Sequence, residues 1–137
     1  MKLDSSAFIA DKELLDALEN RSTRVVCDQD RVLFRQGDAP TGLYIVRSGS
    51  VTLTMTSHTG EAMLSVSVSA GALLGLPGFV GGQPYSLTAK AAKGAEIGVV
   101  DREGFSDLML NNPGLSLKLL SVLAAEVRSA RNAISEA

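Results

Sequence analysis

The sequence predicts a mainly β fold, a sandwich or barrel flanked by helices, from three features. Short apolar runs recur from Arg24 to Asp101 with glycine-rich turns between them. Two of these runs alternate with period two: Val51, Leu53 and Met55 against Thr52, Thr54 and Thr56, and Leu64, Val66 and Val68 against Ser65, Ser67 and Ser69. That pattern belongs to half-buried strands of an antiparallel sheet. No helical periodicity separates the runs, which argues against a doubly wound sheet.

The elements follow in order. Ser5-Ser6 can cap an amphipathic helix that carries Phe8, Ile9, Leu14, Leu15 and Leu18 and ends near Asn20. Strands are expected at Arg24–Cys27, Arg31–Phe34, Leu43–Arg47, Val51–Thr56, Met63–Val68, Leu87–Ala91 and Ile97–Val100. Ser57–Glu61 is the hairpin loop between the two alternating strands. Gly37, Gly42 and Gly49 suit turns with positive φ. Arg102–Leu110 forms a short helix, broken at Asn111-Asn112-Pro113, and Gly114–Ala137 forms a long one. On the long helix Leu120, Leu123, Val127, Ala130 and Ile134 step by three and four, a heptad seam suited to a second copy of the chain, with Glu126, Arg128 and Arg131 on its flanks. At ~1.5 Å per residue such a helix reaches ~35 Å. The chain reads as one domain, 1–137: an N-terminal helix in 1–22, β structure in 23–101 and C-terminal helices in 102–137, with no helix-turn-helix after them.

Composition narrows the function. The 137 residues are 45% hydrophobic and 20% charged, ordinary for a globular domain. The net charge of −2, with 13 Lys and Arg among 15 acids, leaves no basic face for nucleic acid, so no DNA binding by this chain alone is expected. No run approaches ~18 apolar residues, so no membrane span is expected, and a cytoplasmic location is the default. Cys27 is alone, which excludes an internal disulfide or a multi-cysteine metal site, and it reads as packing. His58 lies in a polar loop without ligating partners. One His and one Cys assemble no nucleophile–base pair, so no catalytic residue is assigned and the chain is read as a non-enzyme.

The stretch Phe34-x-x-Gly37-Asp38, then Leu43-Tyr44-Ile45-Val46, then Gly49-x-Val51 resembles the cyclic-nucleotide-binding domain of catabolite-activator and Fnr-type (Crp/Fnr) regulators. Gly60, Gly71 and Asn112-Pro113 extend the resemblance over nearly the whole chain. It implies a double-stranded β-roll, or jelly-roll, whose long C-terminal helix dimerises, and a regulatory effector-sensing role. The family's phosphate cassette runs from Gly-Glu through a loop to Arg-Ser or Arg-Thr. Here Gly75 and Ser86 match, but Leu76 stands at the glutamate position and Tyr85 at the arginine position. Ala130 and Arg131 fall where the family's activator contacts the adenine. The candidate pocket is therefore Gly75, Leu76, Tyr85, Ser86, Ala130 and Arg131, without a metal or cofactor.

Losing one partner of a buried charged pair costs about 2–5 kcal/mol, and Pro77 removes a backbone donor that could compensate. Tight binding of cyclic AMP is expected to be lost. The apolar loop 75–86 then serves a small-molecule effector or a protein partner, or fills the vacated site with its own side chains. Whether the chain stands alone or is the sensor part of a longer transcription regulator stays open at this stage.

Overall fold

In the computed structural model, which describes residues 3–135 apart from the side chains of Ala62, Ile134 and Ser135, two four-stranded antiparallel sheets face each other. The strands are β1 Thr23–Val26, β2 Arg31–Phe34, β3 Leu43–Ser48, β4 Val51–Thr56, β5 Ala62–Val68, β6 Leu73–Leu74, β7 Thr88–Ala91 and β8 Glu96–Val100. One sheet runs β1-β8-β3-β6 and the other β2-β7-β4-β5. The two alternating strands pair with each other, placing Val51 opposite Val68, Leu53 opposite Val66 and Met55 opposite Leu64. Their apolar faces therefore coincide and turn inward, where Val51, Leu53, Leu64, Val66 and Val68 are buried. This is the expected β-roll.

Among the described residues four α-helices accompany it: α1 Lys12–Glu19, α2 Leu76–Gly81, α3 Arg102–Asn111 and α4 Pro113–Ser135. The N-terminal segment differs from the single helix expected. Asp4, not Ser5 or Ser6, caps a 3-10 turn at Ser5–Phe8. Ile9 is then extended and bridges Ala72, and Asp11 caps α1 by accepting from the N–H groups of Glu13 and Leu14. The acid-capped restart after an extended residue divides one apolar periodicity between two elements. Cys27 lies just past β1, buried between the sheets, with its N–H donating to Ala95 O at 2.9 Å.

The short strand β6 and the helix α2 were hidden in the sequence. α2 is a single stretch of Leu-Pro-Gly-Phe-Val-Gly between glycines in the left-handed region, Gly75 at φ 80° and Gly82 at φ 65°. Its composition is that of a loop, and tertiary packing rather than propensity makes it helical. Gly42 also departs from expectation, because its φ is not positive. Close approach explains that glycine instead: a Cβ there would sit 3.1 Å from a Val99 methyl.

Two apolar clusters hold the molecule together. One lies between the sheets and includes Phe8, Phe34, Leu53, Leu74 and Tyr85. The other lies beneath the helices and joins Leu14, Leu18, Ile45, Leu76, Phe79 and Phe105 to Leu115, Leu119 and Val122 of α4. The buried stripe of α4 is Leu115, Leu119, Val122, Glu126, Ser129 and Ala133, a second heptad-like series. Glu126, expected on the solvated flank of the seam, points inward. The stripe that packs on the roll lies one residue before the one read as a seam, and the two share the same spacing.

The candidate ligand cleft

The cassette begins at Gly75. Its positive φ aims the chain into α2, and a Cβ on it would meet the Tyr85 ring at 2.8 Å. Leu76 follows and is fully buried in the cluster beneath the helices, away from the cleft. Burial of a side chain that size contributes about 1.5–3 kcal/mol. Phe79 is equally buried and meets Phe105 edge to face, with centroids 5.2 Å apart. Arg102 of α3 covers the Phe79 ring at 4.5 Å and donates to Phe79 O at 2.8 Å, satisfying a carbonyl near the end of α2.

Tyr85 closes the cassette as a structural clamp. Its ring stacks on Phe34 with centroids 4.1 Å apart. Its hydroxyl donates to Gly42 O at 2.6 Å and accepts from the N–H groups of Thr41 and Gly42 at 3.0 Å each. Its backbone also pairs with the turn after β2, through Gly37 N–H to Tyr85 O and Tyr85 N–H to Asp38 O. The phenol is thus spent on the loop before β3, and none of its hydrogen-bonding capacity faces a ligand.

The cleft lies between this cassette, the β-roll and α4. An inner cavity of about 20 Å³ reaches Phe34, Gly75, Gly78 and Tyr85. An outer one of about 140 Å³ is lined by Leu3, Met55, Leu64, Val127 and Ala130. Phe8, Pro77, Ser86, Leu87 and Glu126 line both. Of the residues read from the sequence, the cleft brings together Gly75, Tyr85, Ser86 and Ala130. Leu76 lies in the core and Arg131 is exposed on α4, and neither lines it.

Glu126 is the residue that sequence reasoning missed. It is 9% exposed, and its Oε2 has no hydrogen-bond partner among the described residues. Burial alone pushes its carboxyl from the ordinary range up to about 8. The available signal was its place on the series Leu115, Leu119, Val122, Glu126, which would have marked an acid on a packed stripe.

The seam residues divide. Leu120 and Val127 are 56% and 47% exposed, and Leu117 beside them is 71% exposed. Leu123 and Ala130 are half-buried and lean on the body of the domain. The side chain of Ile134 lies outside the described residues.

The class is that of a β-roll whose long helix lies over a glycine-initiated cassette. The particular family is shown by comparison. The cyclic nucleotide-binding domain family matches residues 24–112, and the chain belongs to it, as a Crp/Fnr-type member. The chain is 28% identical to the transcriptional activator protein Anr of Pseudomonas protegens over 92% of its own length and 50% of that protein's. It therefore spans about half the length of the relatives it matches. The Thermus thermophilus catabolite activator protein superposes with a TM-score of 0.79 at 26% identity, over 91% of this chain and 59% of that one. The sensor domain of the transcriptional regulator DNR from Pseudomonas aeruginosa shares the fold at TM-score 0.67 and 21% identity, over 88% and 81% of the two chains.

Proposed function

We propose that this chain is the effector-sensing domain of a Crp/Fnr-type transcription regulator, that it has no enzymatic activity, and that it does not bind cyclic AMP tightly. Glu126 carries the reading. A cyclic phosphate monoanion in this cleft would face a buried carboxyl and no arginine, and an unpaired buried charge costs several kcal/mol. Size supports it too, since ligand pockets commonly enclose about 300–1,000 Å³ and the outer cavity is about 140 Å³. In calorimetry, cyclic AMP is expected to bind more weakly than ~100 µM. A dissociation constant in the low micromolar range overturns the proposal.

A second reading, a protein-interaction domain whose ligand site is filled by its own side chains, is favoured by the inner cavity of about 20 Å³ beneath Tyr85. Thermal-shift screening separates the two. Stabilisation by small metabolites supports sensing, and a flat response across nucleotides and apolar metabolites supports the filled site.

The exposed stripe of Leu117, Leu120 and Val127 supports a homodimer along α4. Leu120→Glu should give a monomer in light scattering, because like charges would meet at the axis. A cytoplasmic location and a lack of DNA binding by this domain alone complete the proposal. Salt-sensitive retention on random duplex contradicts the latter.

A further inference from the structure

Native proteins rarely leave a buried carboxyl oxygen unpartnered, and each exception asks what the group is for. Glu126 Oε2 is such an oxygen. It does not sit in featureless core, because the same side chain lines both the inner and the outer part of the cleft. Around it the outer cavity is apolar, with Met55, Leu64, Leu87 and Val127 contributing to its walls. Its volume of about 140 Å³ approaches that of the dry ~150 Å³ engineered cavity known to hold a benzene-sized guest. The cleft thus offers room for one compact apolar body beside one carboxyl oxygen without a partner.

We propose that the cleft takes a compact apolar amine, whose N–H groups are received by the Glu126 carboxyl while its hydrocarbon body fills the space beside Met55, Leu64 and Leu87. The inference rests on the reading of this cleft as an effector site and adds the chemical class of the effector. Sign and geometry favour an amine over other small apolar molecules. An ammonium entering as the acid gives up its proton to solvent leaves a pair that is neutral overall, and charge-assisted N–H···O bonds are about twice as strong as neutral ones. An alcohol brings a weaker neutral bond, and a carboxylate or phosphate brings a negative charge that no Lys, Arg or His in the lining can pair. The cation has no competitor within the cleft. Lys, Arg and His are all absent from its lining, and Tyr85, the other titratable residue there, spends its hydroxyl on Gly42 and Thr41. Burial alone raises the carboxyl to about 8, and a cation seated beside it would bring it down again. Phe8, held on the N-terminal 3-10 turn, closes one wall. That segment is tied to α4 by Asp4 N–H to Ser129 Oγ at 2.8 Å, one helical turn from Glu126.

The test titrates the domain with benzylamine, benzyl alcohol, benzoate and benzyltrimethylammonium, followed by amide NMR shifts at Ser86, Leu87 and Ala130. Benzylamine should bind at least about tenfold more tightly than benzyl alcohol, the worth of one hydrogen bond to a charged group. Benzoate should bind weakest. Benzyltrimethylammonium, which keeps the charge and loses the N–H, should fall below benzylamine in the wild type, a comparison that needs no variant. Glu126→Gln, whose amide still offers a neutral hydrogen bond, should bring benzylamine to the level of benzyl alcohol. Equal binding of alcohol and amine, with shifts at those amides, overturns the amine assignment and leaves the effector reading standing. An absence of shifts with every probe overturns both.

Discussion

The two halves of α4 present the same spacing to the body of the domain and do different things with it. In the first half Leu115, Leu119 and Val122 enter the cluster beneath the helices, beside Leu76 and Phe79. In the second half the stripe continues as Glu126, Ser129 and Ala133, over the cleft and the N-terminal segment. One half is an anchor, where every position is apolar and shape decides stability. The other places polar groups where an anchor would place leucine, and Ser129 is satisfied by Asp4 N–H while Glu126 Oε2 is not. Helical periodicity alone, then, does not distinguish a packing face from a site. An acid kept on the packing face is the feature on which the proposed site rests.

Substituting one residue in each half should separate their roles. Leu119→Ala should cost about 2–5 kcal/mol in denaturant unfolding, as buried leucines do when a cavity is left behind. Glu126→Gln at pH 8 should be neutral or stabilising, because it removes a carboxyl that burial disfavours. Equal losses at the two sites would show that both halves are anchors.

Next in size is the dependence on pH. The Glu126 carboxyl is raised from 4.5 unfolded to about 8 folded, so between these values the folded state holds a proton that the unfolded state has released. Its stabilising contribution is complete below pH 4.5 and is lost as pH rises toward 8, on the order of a few kcal/mol. Urea unfolding from pH 5 to 8 should show this decline in the wild type, and Glu126→Gln should abolish that part of it. A slope unchanged in the variant assigns the effect elsewhere.

A smaller effect sharpens the picture of the cassette. Tyr85→Phe keeps the stack on Phe34 and deprives Thr41 N–H, Gly42 N–H and Gly42 O of their partner, which should cost about 1–3 kcal/mol. A loss below ~0.5 kcal/mol would show that water replaces the hydroxyl and that Tyr85 is not a clamp.

Most of the roll was legible because strands with one dry face write their period into the sequence. Val51, Leu53, Leu64 and Val66 could face only one way. The site was less legible, for physical reasons. Leu76 and Tyr85 were readable as departures from a charged cassette, but their destinations were not. Which side of Gly75 a leucine takes depends on packing with Phe79 and Phe105, and the Tyr85 hydroxyl finds partners some forty residues upstream at Thr41 and Gly42. The N-terminal periodicity concealed a break at Ile9, since a 3-10 turn and an α-helix both bury residues at spacings of three or four. On α4, two stripes one residue apart carry almost equal apolarity, and only the surface they meet decides between them.

Whether Glu126 lies buried and unpaired in the cleft is measured directly by a carbon-13 NMR titration of its side-chain carboxyl. The expected midpoint is near 8 in the ligand-free domain, far above the 4.5 of a solvated glutamate. A midpoint between 4 and 5 would place the carboxyl in water or beside a cation and contradict the assignment of the second half of α4 as the wall of a site.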